Sequence, residues 1–293
     1  MSVLSTFEAI PSRLKIIYEY LEGKAPEDRS RVIEILGPGA LARKKASGDP
    51  SRATVESSLN EAIQMGLIVS EDGKLSALPM EKGLRRKVGF DRAFVDLAEW
   101  LLLAADAPGR ASQRAFPYAL AWLLMQSPRE PLQFSDNKVS TLRGQIGEGD
   151  DYQLTNESSW QNLCYWARAL GFCTWLSCGG QAMVMADPTK ALQRHLDAIL
   201  PLKEPLRIVD ALVLLGERCT VFEGGVVREE VEARSLGVPR ESSKLSQSTS
   251  FALLRLESLG AVTLLALADA ETRTIEVGAG PRPLSHLQRA KRL

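Results

Sequence analysis

The amino-acid sequence predicts a mainly α chain with small β-hairpins, an α+β class, built from three tandem copies of one helix-to-hairpin pattern. Three observations predict it. Apolar residues recur at helical spacing in one segment after another. An apolar strand follows at once on each of the glycines Gly66, Gly171 and Gly260, and an Asp-Gly pair at residues 72 and 73 separates two short apolar runs. A glycine in the left-handed conformation ends a helix without a Cβ penalty, and Asp-Gly adopts the paired positive dihedrals of a tight hairpin turn.

In the first segment Leu14, Ile17, Tyr18 and Leu21 follow i, i+3, i+4, i+7 spacing, with Pro11 suited to the first turn and Gly23 to the stop. Asp28 is placed to cap a second helix that carries Val32, Ile33 and Leu36 toward the same core. After the basic loop "ARKKASGDPSR", Asp49 and Pro50 predict the start of a third helix burying Val55, Leu59, Ala62 and Ile63. "LIV", the turn "SEDGK" and "LSAL" close a two-stranded hairpin. Three helices followed by a hairpin, over residues 11 to 80, resemble the winged helix-turn-helix.

The end of this pattern returns twice. "NLCYWARALGFCTWLSCGGQAMVM" sets Trp160, Cys164, Ala167 and Leu170 before Gly171, and "FALLRLESLGAVTLLALADAETRTIEV" sets Leu253, Leu256 and Leu259 before Gly260. Upstream, Pro205 starts a helix with Val209, Leu212 and Val213, and "REEVEARSLG" supplies another. The middle copy is longer: Phe90, Phe94, Leu97 and Leu101 mark one helix, "FPYALAWLLMQ" a second and "KVSTLRGQIG" a third, before a capping box expected at Ser158 to Gln161. "TKALQRHLDAIL" is expected to bridge the second and third copies. The expected domains are an N-terminal winged helix at 1–82, an elaborated middle winged-helix-like domain at 83–188, and a C-terminal winged helix with bridging helix and basic tail at 189–293.

Composition bounds the function. With 45% hydrophobic and 25% charged residues the chain is ordinary globular protein, and 36 basic against 36 acidic residues leave no whole-molecule field to draw in DNA or an anionic membrane. Any nucleic-acid contact has to come from local patches. Apolar stretches such as "ALAWLLM" fall short of the roughly 20 residues of a membrane span, and "MSVLSTFEAI" lacks the features of a secretory signal, so a cytoplasmic protein with no membrane partner is expected. Cys164, Cys173, Cys178 and Cys219 form no C-x2-C pair and His195 and His286 are remote in sequence, so no metal and no cofactor are expected. Chemistry is also not expected. "EDGK" at residues 71 to 74 lacks a facing acidic partner, "GPGA" and "EGGV" lack the lysine of a phosphate loop, and no G-x-S-x-G elbow occurs, which points to a non-enzyme with no catalytic residues.

For a winged helix on duplex DNA, the third helix faces the major groove and the hairpin touches phosphates or the minor groove. The first copy offers Arg52, Thr54 and Ser57 around that helix, Lys74 in the hairpin, and Arg43, Lys44 and Lys45 in the preceding loop. Against this, Glu56 and Glu61 lie on the same helix and would repel DNA if they faced the groove. The third copy offers Arg240, Lys244, Gln247 and Thr249, while the middle copy has almost no positive charge at the matching place. Two further basic clusters, Arg85, Arg86 and Lys87, and the tail with Arg289, Lys291 and Arg292, are candidates to follow a phosphate backbone.

"IPSRLKIIYEYL" together with "LNEAIQMGLIVSEDGKLSAL" resembles the start of DpdG-like proteins of bacterial islands that modify DNA with 7-deazaguanine derivatives and restrict foreign DNA. The resemblance implies an accessory role in phage or plasmid defence beside helicase, ATPase or nuclease partners, and brings no catalytic motif with it. The expected function is a non-catalytic DNA-binding subunit of such a complex, with double-stranded DNA and other subunits as partners. A protein-interaction platform for a chromosome-condensing-like ATPase complex is the alternative, and a transcriptional regulator needs fewer copies than this chain has.

Overall fold

The computed structural model describes residues 2–39, 51–81, 83–104, 106–108, 110–148, 154–277 and 280–290. About 47% of the described residues are helical and 15% strand, in antiparallel sheets of two or three strands, which is the α+β class expected from the sequence. The chain divides into two compact units, Met1–Phe116 and Pro117–Leu293, and their boundary lies inside the 83–188 range expected to form a middle domain.

The first unit opens with α1 (Pro11–Leu21), β1 (Glu27–Asp28), α2 (Arg29–Leu36), α3 (Ala53–Gln64), β2 (Ile68–Glu71) and β3 (Lys74–Ala77). Leu14, Ile17, Tyr18 and Leu21 are all buried, as their spacing predicts, and Pro11 occupies the first turn. Asp28 does not cap α2 with its side chain; its backbone is extended in β1, opposite Lys74. Asp49 and Pro50 lie outside the described residues, and α3 starts at Ala53. The hairpin turn has Asp72 at φ 49° and Gly73 at φ 76°, the two positive dihedrals that a two-residue loop between twisted strands demands. The sheet order is β1-β3-β2. Short α4 (Leu84–Val88) and α5 (Phe90–Leu103) follow, with the Phe94 ring 5.8 Å from that of Tyr18.

The second unit runs through this order of elements twice more, the second time with one extra helix and an added ribbon. The first repeat runs α6 (Ala115–Met125), whose first turn straddles the unit boundary, β4 (Leu132–Gln133), α7 (Val139–Ile146), α8 (Glu157–Leu170), β5 (Cys173–Cys178) and β6 (Gln181–Ala186), with sheet order β4-β6-β5. The next runs α9 (Thr189–Ile199), β7 (Leu206–Arg207), α10 (Ile208–Arg218), α11 (Val226–Ala233), α12 (Gln247–Ser258), β8 (Val262–Leu265), β9 (Arg273–Ile275), β10 (Arg282–Leu284) and β11 (His286–Arg289). Its sheet order is β7-β11-β8, with β9 and β10 paired as a separate ribbon. In each of the three-stranded sheets the strand before the second helix pairs with the last strand, which sits in the centre. The helix at 189–199 therefore heads the third repeat, and it is also bonded to the end of α8 through Arg194 to the Leu170 carbonyl at 2.7 Å and the Ala191 N–H to the Gly171 carbonyl at 3.1 Å. The basic tail expected to follow a phosphate backbone supplies the central strand through His286–Arg289, and Arg289 donates to the carbonyls of Asp197 at 2.8 Å and Leu200 at 3.1 Å.

The three predicted stops share one geometry. Gly66, Gly171 and Gly260 have φ of 82°, 82° and 67°. In each, the glycine N–H and the next N–H turn back onto the helix: Gly66 to Ile63 and Leu67 to Ala62, Gly171 to Arg168 and Phe172 to Ala167, Gly260 to Glu257 and Ala261 to Leu256, at 2.7–3.1 Å. These are Schellman closures, satisfying carbonyls that a helix end otherwise leaves bare.

The capping box of α8 falls two residues earlier than expected. Asn156 Oδ1 accepts from the Ser159 N–H at 2.9 Å, and Ser159 Oγ accepts from the Asn156 N–H at 3.1 Å. Asn156→Ala is expected to destabilise the second unit by about 1 kcal/mol, read as a lower denaturation midpoint with an unchanged slope. Trp160, one turn on, packs edge to face on Trp122 at 6.1 Å, both fully buried.

Candidate nucleic-acid interface

Helix α3 is held from one side by the N-terminal segment. Ser58 Oγ donates to the Glu8 carbonyl at 3.0 Å, and Glu61, 1% exposed, accepts from Thr6 Oγ1 at 2.9 Å and from Gln113 Nε2 at 2.7 Å. Gln113 in turn accepts from the Val3 N–H at 2.9 Å. Glu61 thus faces the core, and the repulsion that this carboxyl would bring to a groove is removed; Glu56 stays exposed. Tyr18 supports the same core, donating to the Leu78 carbonyl at 2.6 Å, and its hydroxyl is pushed up to about 12, first by burial and then by Glu22.

With its inner face so anchored, α3 turns Thr54, Asn60 and Gln64 to solvent, with Ser57 half-buried between them. Asn60 Oδ1 accepts from Arg29 on α2 at 2.5 Å. Asn60, Gln64 and Arg29 were not singled out from the sequence, although helical phase places the two amides on the same face as Thr54 and Ser57. Arg52 sits at the head of the helix and donates to the Gly37 carbonyl at 3.2 Å, joining α3 to the end of α2. Lys74 is exposed beside the hairpin turn, opposite Glu71 on one neighbouring strand and Asp28 on the other. On α4, Arg85 pairs with Glu22 and lies 5.1 Å from the Phe90 ring, whereas Arg86 and Lys87 are exposed and make no ion pair among the described residues. Arg43, Lys44 and Lys45 lie outside the described residues, as do Lys291 and Arg292.

The third repeat is arranged differently. Thr249 is buried and offers no surface to a groove: Ser246 caps α12, its Oγ accepting from the Thr249 N–H at 3.3 Å and donating to Thr249 Oγ1 at 3.0 Å. Ser248 also turns inward, donating to the Leu124 carbonyl at 2.5 Å. The Ser246 hydroxyl satisfies a backbone N–H of the first turn, and that of Ser248 reaches a carbonyl at the end of α6, so this cluster is spent on the fold. Arg240 is held by two carboxylates, Glu223 and Glu232, each at 2.9 Å. Burial pushes the Glu232 carboxyl up, but Arg228 and Arg240 outweigh it and leave it below its ordinary value. Lys244 lies 3.0 Å from Glu241, and Gln247 is exposed at the start of α12.

The sequence profile of a family described as DpdG-like matches residues 1–270. No curated protein and no solved structure matches the chain.

Proposed function

The chain belongs to the DpdG-like family, and on that premise we propose that it is a non-catalytic, DNA-binding accessory subunit of a bacterial restriction or anti-phage and anti-plasmid complex, built on tandem winged helices. The family sets it in the islands that modify DNA with 7-deazaguanine derivatives, and hence in a multi-protein DNA-modification system. No helix is long and apolar enough to cross a membrane among the described residues.

One observation carries the DNA reading. The outward strip of α3 presents Thr54, Ser57, Asn60 and Gln64 while Glu61 is turned into the core. Side-chain amides are the groups that pair with adenine in the major groove, and hydroxyls accept or donate to either edge. Lys74, Arg86 and Lys87 supply cations without ion-pair partners among the described residues, suited to phosphates. Neutralising all three to Gln is expected to weaken duplex binding and to lower the slope of log affinity against log salt by about 2 to 3, near 0.9 for each phosphate no longer neutralised. Fluorescence anisotropy with a labelled duplex across a salt series measures it, and undiminished binding would remove the first unit from the interface. Neutralising Arg43, Lys44 and Lys45 extends the test to the basic cluster before α3 in the sequence.

The protein-platform reading has its own support. The chain is neutral overall, and Val213 and Val226, on α10 and α11, are 55% and 57% exposed. Affinity purification from the native host that retrieves no partner would sink it.

A further inference from the structure

An open cleft of about 900 Å³ lies within the second unit, walled by the end of α6, α7, α11, the 235–241 segment and the start of α12. One side chain lining it is incomplete. The Arg228 side chain is 2% exposed, its Nε donates to Glu232 at 2.6 Å, and its Nη2 is buried without a partner. A guanidinium N–H so placed requires an acceptor that this conformation of the chain does not supply.

The charges around it decide what kind of acceptor. Arg240 is already matched by Glu223 and Glu232, and Lys244 by Glu241. The lining holds three cations against four carboxylates, so a phosphate dianion would enter against a net negative wall, whereas a neutral acceptor would not. The remaining polar lining is amide and hydroxyl, including Gln126, Gln247 and Ser127, and Met125, Val238 and Pro239 offer apolar surface to a ring.

We propose that this cleft binds a nucleobase with a guanine-type edge, Arg228 donating to the base carbonyl oxygen. Arginine donates naturally to the O6 and N7 acceptors of guanine, while adenine presents an amino donor where guanine has the carbonyl and so meets Arg228 donor to donor. Glu130, which makes no ion pair among the described residues, is available to accept from the guanine N–H groups. The base can come from a free nucleoside or from a nucleic-acid strand; the recognising chemistry is the same. This inference goes beyond the duplex-binding reading and does not depend on it.

Isothermal calorimetry on the full chain with guanosine, adenosine and inorganic phosphate tests it. Guanosine is expected to bind at least tenfold more tightly than adenosine, and phosphate not to bind. Arg228→Gln should lose at least tenfold in guanosine affinity. Since that change also strips Glu232 of a partner, Ala233→Trp, on the exposed cleft wall, serves as the second variant and should abolish binding with an unchanged melting temperature. A guanine-containing single strand binding more tightly than guanosine assigns the site to a strand, and the reverse order assigns it to free nucleoside. Equal binding of guanosine and adenosine, binding of phosphate alone, no guanosine binding at millimolar concentration, or full binding by Ala233→Trp would each overturn the proposal. The Lys74, Arg86 and Lys87 variant should bind guanosine as the native chain does, which separates this test from that of duplex binding.

Discussion

Replacing Gly216 by Ala is expected to destabilise the second unit by about 3 kcal/mol or more, a larger penalty than most cavity-filling changes because the obstruction is backbone. Gly216 lies in α10, where Ala is ordinarily better than Gly by roughly 0.5–1 kcal/mol. Here the sign reverses. A Cβ at Gly216 would come within 2.5 Å of the Gly225 amide nitrogen and closer still to the Gly224 carbonyl, and no rotamer change relieves a clash with main chain. The approach is close because the segment after α10 folds straight back on it: Phe222 N–H bonds to Cys219 at 3.1 Å, Gly225 to Phe222 at 2.9 Å and Arg228 to Thr220 at 3.0 Å. Gly224, at φ 83°, and Gly225, whose own Cβ would meet the Thr220 carbonyl at 2.5 Å, make that return possible. The control is Gly144→Ala in α7, where a Cβ meets nothing within 4 Å; it should stabilise by about 0.5 kcal/mol. Thermal unfolding should move the two variants in opposite directions, with Gly216→Ala lower by about 10 °C. Equal melting temperatures would show that the α10 return is not packed as described.

How much of this was legible in sequence follows from how local each cause is. The three stops at Gly66, Gly171 and Gly260 were readable because a Schellman closure is written in a handful of consecutive residues, and the Asp72-Gly73 turn was readable for the same reason. The strands β1, β4 and β7 were not, since two residues carry no periodicity; they exist because the last strand of each repeat offers them an edge. That loss left α6 inside a longer middle region and gave no sign that α9 stands in the third repeat where α1 stands in the first. The direction of Glu61 could have been found: Ser58, Glu61, Ala62 and Met65 follow i, i+3, i+4, i+7, so the carboxyl shares the core face. Val227, Arg228 and Val231 obey the same rule and mark Arg228 as inward. Hydrophobic patterning passes over both because it scores the residue type before the phase. The pairing of Arg240 with Glu223 and Glu232, by contrast, depends on how the chain folds back in three dimensions, and no local pattern announces it.

Glu61→Ala is the second large effect expected, about 3 kcal/mol of destabilisation in the first unit, because it breaks two buried charge-assisted hydrogen bonds at once. Thr6 Oγ1 and Gln113 Nε2 each lose this carboxylate; Gln113 Nε2 keeps Ser112 Oγ at 3.1 Å, and its oxygen is committed to the Val3 N–H, so it has little freedom to turn elsewhere. The loss is one of partners rather than of volume, and this gives a way to check the cause. Glu61→Leu alone should be nearly as damaging, whereas Glu61→Leu combined with Thr6→Val and Gln113→Leu should recover a substantial part of it, since removing both sides of a buried polar pair is far cheaper than removing one. Recovery that is absent in the triple variant would mean that Glu61 matters for packing alone. The same substitution reaches the candidate interface. Through Thr6 and the Ser58 bond to Glu8, the N-terminal segment fixes the inner face of α3, and that face sets which residues the helix turns outward. Thr6→Val leaves the Gln113 bond in place and should loosen this anchor more gently, so duplex affinity should fall in that variant with Lys74, Arg86 and Lys87 all intact. An affinity unchanged in Thr6→Val, despite a measurable loss of stability, would separate the anchoring of α3 from DNA binding and leave the platform reading as the stronger account of this chain.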